Sequence, residues 1–275
     1  MPKKLTEDQI AHFKSQGYLF PFTVMTPDEA RLCRERIEAY EAFSEGDANR
    51  TLKIKAHLSA PWLVDLARRP EILDVVEDLI GPNILLFGSS IFAKNGRDPR
   101  YVSWHQDSAY FGLNPHEEIT VWVGFTESTI EKGCLRVMPE THLGNDMKHV
   151  ETYAPENMLA KGQSIEGLDE SKAISIELNA GQFSVHHERT AHASGPNRSE
   201  DRRIGFAFFF IPTHVTSTLG RRKATLVRGR DDFGHWDAEQ LPRFDRDPLS
   251  MAELAQSYGE YKDGEIKQAA DMAVE

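Results

Sequence analysis

Ser103-Trp104-His105-Gln106-Asp107 sets a histidine and an aspartate two positions apart in a run that reads as a β-strand from Tyr101 onward. A strand sends alternate side chains to one face, so the His105 imidazole and the Asp107 carboxylate should project side by side. Far downstream lies Thr190-Ala191-His192-Ala193-Ser194-Gly195-Pro196-Asn197-Arg198-Ser199, and eleven positions past His192 comes Arg203. Arg203 opens a very apolar strand, Arg203-Ile204-Gly205-Phe206-Ala207-Phe208-Phe209-Phe210-Ile211. With His192 as a third ligand, His105 and Asp107 form a two-histidine, one-carboxylate set. That set holds Fe(II) by one face and leaves the opposite positions open. A permanently charged guanidinium in so apolar a strand needs an acid to pair with, and a dicarboxylic co-substrate would supply one.

Around these segments the chain changes texture once. Thr6 with Gln9 makes a capping box that opens a helix ending near Gly17. Thr26-Pro27-Asp28-Glu29 starts a second helix that runs to about Phe43. Thr51 to Leu58 alternates as a strand does, and 61–68 and 70–80 read as two helices, the latter closed by Gly81-Pro82. From Ile84 the pattern becomes short apolar or alternating runs, with strands expected near 84–94, 101–109, 118–128, 134–138, 174–178, 182–187, 203–211 and 224–228. Eight short strands after a helical layer, with no βαβ rhythm, predict a mainly β, α+β fold. Its core would be a jelly roll, the cupin-like double-stranded β-helix. The expected organisation is one domain over 1–275: a helical layer to about 82, the core over about 84–230, and a peripheral tail over 231–275. Positions 139–172 read as a long polar insertion, a lid or an unstructured loop.

A net charge of −11 argues against nucleic acid or an anionic membrane as partner. No apolar run approaches a membrane span, and the N-terminus lacks the apolar core of a signal peptide. Cys33 and Cys134 are too few for a disulfide framework and are expected as reduced core thiols. These features point to a soluble cytoplasmic protein with a small-molecule substrate, its oligomeric state open.

At the quoted residues the chain resembles the phytanoyl-CoA dioxygenase family of Fe(II)/2-oxoglutarate oxygenases. The likeness rests on His105-x-Asp107, on the His192-x-Ser194-x-x-Asn197-x-Ser199 run followed by Arg203, and on Gly133-Cys134-Leu135-Arg136-Val137-Met138-Pro139-Glu140-Thr141-His142. In that last turn Glu140 and Thr141 stand where the family usually has Gly-Ser. The resemblance spans roughly positions 6 to 230. It implies that His105, Asp107 and His192 ligate the metal and that Arg203 grips the distal carboxylate of 2-oxoglutarate, with Ser194 and Trp122 beside it. Fe(II), 2-oxoglutarate and O2 are the implied cofactor and co-substrates, and succinate and CO2 the implied by-products. Because Asp107 supplies a carboxylate where halogenating relatives carry Gly or Ala, the likeness favours hydroxylation.

Two local ambiguities remain in the sequence itself. His186 and His187 are rivals to His192, and the Ser194–Asn197–Ser199 match selects His192. Arg202 and Arg203 face opposite sides of a strand, so only one can enter the barrel. Gly205 and Ala207, small enough to leave room for a ligand on that face, favour Arg203. For the substrate, Trp104, Tyr110 and Phe111 are candidates to pack around a cationic group, and Lys53, Lys55 and Arg100 to meet an anion. A small aminophosphonate such as 2-aminoethylphosphonate or its trimethylammonio analogue would use both sets, whereas so acidic a chain offers no basic surface for a CoA carrier. The rivals to an oxygenase are a cupin-like isomerase or lyase and a non-catalytic binding module on the same fold.

Overall fold

Helix α1 (Glu7–Gln16) begins at the Thr6 capping box and stops at Gly17, whose φ of 85° is the left-handed conformation that ends helices. Strand β1 (Tyr18–Thr23) follows at once, an element the sequence pattern had not revealed. Helix α2 (Pro27–Ser44) starts at a second capping box, Thr26 with Glu29. The computed structural model describes residues 2–152, 154–159 and 163–259; the part of the expected tail beyond 259 lies outside them. Helices α3 (Ala48–Thr51), α4 (Pro61–Ala67) and α5 (Pro70–Ile80) complete the N-terminal layer.

The strand expected over 51–58 does not form. Thr51 ends α3, Ile54 takes φ 69°, and Ala56–Ser59 is a 3-10 turn. The apparent alternation arose because Lys55 and His57 fold inward to a buried acid described below.

The remaining strands are β2 (Ile84–Lys94), β3 (Val102–His105), β4 (Leu113–Asn114), β5 (Ile119–Gly124), β6 (Leu135–Val137), β7 (His149–Glu151) and β8 (Gln163–Ile165). They continue with β9 (Ile174–Ile176), β10 (Gln182–His187), β11 (His192–Ser194), β12 (Arg203–Pro212), β13 (Thr216–Ser217), β14 (Lys223–Arg228) and β15 (Asp237–Ala238). One sheet runs β1-β10-β5-β12-β2-β14-β15 and a second runs β3-β11-β6-β9. Every pairing between these strands is antiparallel except the short β14–β15 contact. This is the jelly-roll architecture expected from the sequence, with helices against one face of the larger sheet.

Strand β12 shows why the layers hold. It lies between β5 and β2 and is buried on both faces. Phe206, Phe208 and Phe210 point to the helical layer, where they meet Ile72, Val75 and Val76 of α5 in the largest apolar cluster. Ala207, Phe209 and Ile211 alternate to the inside of the sandwich with Trp122, Leu135 and Val137. Each phenylalanine buried this way contributes roughly 1.5–3 kcal/mol.

The insertion over 139–172 is not structureless: β7 and β8 form a hairpin within it. The described part of the C-terminal segment is not peripheral either. Trp236, Glu239, Asp247 and Ser250 are buried: Trp236 packs on Phe87 and donates to the Val215 carbonyl, and Glu239 pairs with Lys55 at 2.5 Å and lies 2.8 Å from His57 Nε2. Cys33 and Cys134 are free thiols. Among the described residues no helix is long and apolar enough to cross a membrane.

Candidate metal and co-substrate site

His105 is the last residue of β3, and its partner across the sheet is His192, the first of β11. Asp107 does not continue the strand. It takes helical angles (φ −64°, ψ −30°) and its carbonyl accepts from the Tyr110 and Phe111 amides, opening the short helix α6 (Ser108–Phe111). The side chains of His105 and Asp107 therefore converge through a turn, not through the strand alternation expected from the sequence. One ligand atom from each of His105, Asp107 and His192 lies within 4.8 Å of the other two, and all three residues are buried. Asp107 Oδ1 is 3.5 Å from His105 Nε2 and 3.8 Å from His192 Nε2.

The two imidazoles are oriented by one device. His105 Nδ1 donates to the Ser103 carbonyl at 2.9 Å, and His192 Nδ1 to the Thr190 carbonyl at 2.9 Å. A carbonyl can only accept, so the proton sits on Nδ1 and the Nε2 lone pair faces the gap. Burial, then the neighbouring His105, holds His192 well below the ordinary histidine range, so it is neutral. Burial alone would push the Asp107 carboxyl up, but His192 and His105 outweigh it and keep Asp107 well below its usual value. Two imidazoles and a carboxylate are a donor set that fits Fe(II) and leaves a face open.

The other Asp107 oxygen, Oδ2, accepts from Thr120 Oγ1 at 3.1 Å. Thr120 Oγ1 is also 3.0 Å from Glu118 Oε1. Burial, then the Asp107 and Glu188 carboxylates, drives the Glu118 carboxyl well above its ordinary range. Thr120 Oγ1 has one proton for two carboxyls, and a Glu118 raised in this way competes weakly for it against Asp107 Oδ2. His186, the rival ligand, stands at the edge of this group with Nε2 3.9 Å from Asp107 Oδ2. His187 turns away and bonds the His116 carbonyl.

One cavity of about 450 Å³, counted out to its mouth, is lined by the three ligand candidates and also by Trp122, Ser194 and Arg203. Arg203 is 2% exposed, its guanidinium carbon lies 5.3 Å over the Trp122 ring, and its Nε and Nη2 have no protein partner. Burial lowers its pKa to about 10. Arg202 points the opposite way and pairs with Glu38 and Glu41 of α2. The room above Gly205 is taken by the Trp122 indole, since a Cβ there would lie 1.8 Å from Trp122 Cζ2. Gly205 thus seats the tryptophan and does not leave space for a ligand. A buried, donor-rich guanidinium without an acid fits a carboxylate of 2-oxoglutarate.

Lys94 was not singled out in the sequence. It ends β2 directly opposite Arg203, is fully buried, and its Nζ lies 2.7 Å from Ser194 Oγ. No local signal marks it, because its role follows from the pairing of strands more than a hundred residues apart.

The substrate candidates fare differently. Lys55 is committed to Glu239, Arg100 to Asp47 and Asp98, and Lys53 Nζ to the Met158 carbonyl, and none of the three lines the cavity. Trp104 packs with Met138 and Ile165, under the Arg136 guanidinium. These four side chains are held by the fold itself, which corrects the expectation that they meet a substrate. Tyr110 and Phe111 are at the site's border: the Tyr110 ring lies 6.0 Å from His105, and the Phe111 ring 4.9 Å from Phe209 of the cavity wall.

The phytanoyl-CoA dioxygenase family profile matches residues 13–205. The probable alpha-ketoglutarate-dependent hypophosphite dioxygenase of Stutzerimonas stutzeri is 28% identical over 212 residues, 74% of this chain and 71% of the relative. Among solved structures, the apo non-heme monooxygenase ThoJ is 30% identical with a TM-score of 0.83, covering 95% of this chain and 99% of its own. CytC3 with Fe(II) and alpha-ketoglutarate is 27% identical with a TM-score of 0.66, covering 88% and 96%. The chain belongs to the phytanoyl-CoA dioxygenase family and is a non-heme oxygenase dependent on Fe(II) and 2-oxoglutarate.

Proposed function

We propose that the protein hydroxylates a C–H bond of a small polar molecule, with His105, Asp107 and His192 as iron ligands and Arg203 as the anchor of 2-oxoglutarate. The observation that carries this reading is a buried guanidinium with unpartnered Nε and Nη2 in the same cavity as the two-histidine, one-carboxylate set. Fe(II) and 2-oxoglutarate supply O2 activation coupled to loss of CO2 and formation of succinate. The protein's part is geometric. The Ser103 and Thr190 carbonyls aim the imidazoles, Thr120 holds the Asp107 carboxylate, and Trp122 and Phe209 give the cavity apolar walls.

For the substrate we propose a small organophosphorus anion that carries a C–H bond, an aminophosphonate such as 2-aminoethylphosphonate or its trimethylammonio analogue. Two observations support this class. A relative at 28% identity is described as acting on hypophosphite. A buried cation, Arg222, also stands one ring beyond the cavity wall, although like the lysines it does not line the cavity itself. Its guanidinium lies between the Phe87 and Trp236 rings and bonds the Phe111 carbonyl and Ser217 Oγ, with no carboxylate among its partners. Burial lowers its pKa to about 10, which leaves it charged. Through Phe111 it adjoins the Phe209 wall of the cavity. The test is succinate release and hydroxylated product across a panel of phosphonates with iron-loaded protein. Substrate-dependent turnover supports the class, and background rates with every phosphonate rule it out.

A further inference from the structure

We propose that Lys94 is a positioning residue for the co-substrate, a switchable group that decides which way the Ser194 hydroxyl points beside Arg203. The inference rests on the reading of Arg203 as the anchor of 2-oxoglutarate.

The geometry comes from strand pairing. Lys94 is the last residue of β2, Arg203 the first of β12, and the two are partners across the antiparallel ladder. Both are buried, at 0% and 2% exposure. Lys94 Nζ reaches Ser194 Oγ at 2.7 Å, the Gly195 carbonyl at 2.5 Å and the Ser194 carbonyl at 3.3 Å. These three oxygens occupy every bonding position of Nζ, whether the three hydrogens of an ammonium or the two hydrogens and lone pair of an amine, so Lys94 acts on a bound ligand through Ser194 and not by direct contact.

Among the described residues no carboxylate bonds either cation directly. The carboxylate of Asp98 is taken up by the Arg100 guanidinium and by the Asn95 and Arg100 amides. The charged and titratable groups facing Lys94 are Arg203 on β12, Asp98 and Arg100 after β2, and Cys134 before β6. Burial, then the charge of Arg203, brings the Lys94 amine down to about 6, so near neutral pH it is largely uncharged without a ligand.

The two forms of Lys94 give Ser194 different instructions. A neutral amine has a lone pair and accepts the Ser194 proton. An ammonium has none, so it donates to Ser194 Oγ, whose own proton must then turn to another acceptor. Ser194 lines the same cavity as Arg203, whose Nε and Nη2 also lack acceptors. An arriving carboxylate favours the charged form of Lys94 and collects the Ser194 hydroxyl and the Arg203 donors together. Binding of 2-oxoglutarate is therefore coupled to uptake of a proton by Lys94.

Calorimetric titration of 2-oxoglutarate into the manganese-loaded protein, in buffers of different ionisation enthalpy, reads this directly. The wild type should take up about one proton near neutral pH, with affinity falling about tenfold per pH unit above about pH 7. Lys94→Met should bind 10- to 100-fold more weakly with no proton uptake. Lys94→Arg, permanently charged, should retain most of the affinity and lose the uptake. In turnover the Lys94→Met loss should appear in KM for 2-oxoglutarate more than in kcat. Equal affinity and equal proton uptake in wild type and a folded Lys94→Met overturn the proposal. Arg203→Met separates the two readings: if it binds 2-oxoglutarate as wild type does, the Arg203 assignment fails. If Arg203→Met loses binding while Lys94→Met does not, only the role of Lys94 fails.

Discussion

Each histidine of the triad is held by the carbonyl two residues before it, and the aspartate by a threonine from the facing sheet. Losing such an outer support commonly costs 10- to 100-fold in metal affinity. Thr120→Val, which keeps the shape and removes the donor, should weaken Fe(II) binding by that factor in a chelator competition. His192→Ala should abolish binding. Gly205→Ala is predicted to be worse than its size suggests, because the added methyl would occupy the Trp122 ring position. It should cost about 1–3 kcal/mol by denaturant unfolding and lower 2-oxoglutarate affinity with it. Arg222→Met should raise KM for a phosphonate tenfold or more while leaving KM for 2-oxoglutarate nearly unchanged. At this scale the convergence of His105, Asp107 and His192, and the burial of Arg203 in the same cavity, were legible because these residues sit in motifs with fixed spacing. Lys94, Thr120 and Arg222 were not, since each gains its meaning from residues distant in the chain.

The strand expected over 51–58 illustrates what element-scale patterns conceal. Alternation of polar and apolar residues was real, but Lys55 and His57 are the buried ones, drawn in by Glu239 from a segment that read as peripheral. A buried ion pair hidden nearly 200 residues apart imitates a solvent-facing stripe. Breaking such a pair from one side typically costs about 3–5 kcal/mol, so Glu239→Gln should destabilise the protein by that order in denaturant unfolding. The carboxyl of Glu239 is lowered from its ordinary 4.5 to about 2; burial opposes the shift and the Lys55 and His57 charges drive it. Its folded value lies below its unfolded one, so its contribution is present above about pH 4.5 and is lost as pH falls toward 2. Acid titration of the wild type against Glu239→Gln should show that difference shrinking across this window. The capped helices and the strands from 182 and 203 were legible because capping boxes and long apolar runs are local signals. The short helix α6 was not, since the turn at Asp107 is imposed by the site it builds.

For the whole molecule we propose a single folding unit. The even-numbered phenylalanines of β12 share one apolar cluster with α5, so neither the helical layer nor the jelly roll buries its core alone. One cooperative transition, coincident by far-ultraviolet dichroism and tryptophan fluorescence, is the expected result. Removal of residues 231–275 should prevent stable folding, because it strips Lys55 of its counter-charge. The layered architecture could be read from the succession of helices and strands, whereas the anchoring of the C-terminal segment depends on distant partners, Lys55 for Glu239 and Phe87 and Val215 for Trp236. The account as a whole stands on three side chains gathered around one ferrous ion with a keto diacid held beside it by Arg203. Anaerobic addition of Fe(II) and 2-oxoglutarate to the purified protein tests that arrangement most directly. A visible charge-transfer band that appears only with both, and is lost in Asp107→Ala and Arg203→Met, is the predicted result. A colourless mixture from folded wild-type protein would contradict it.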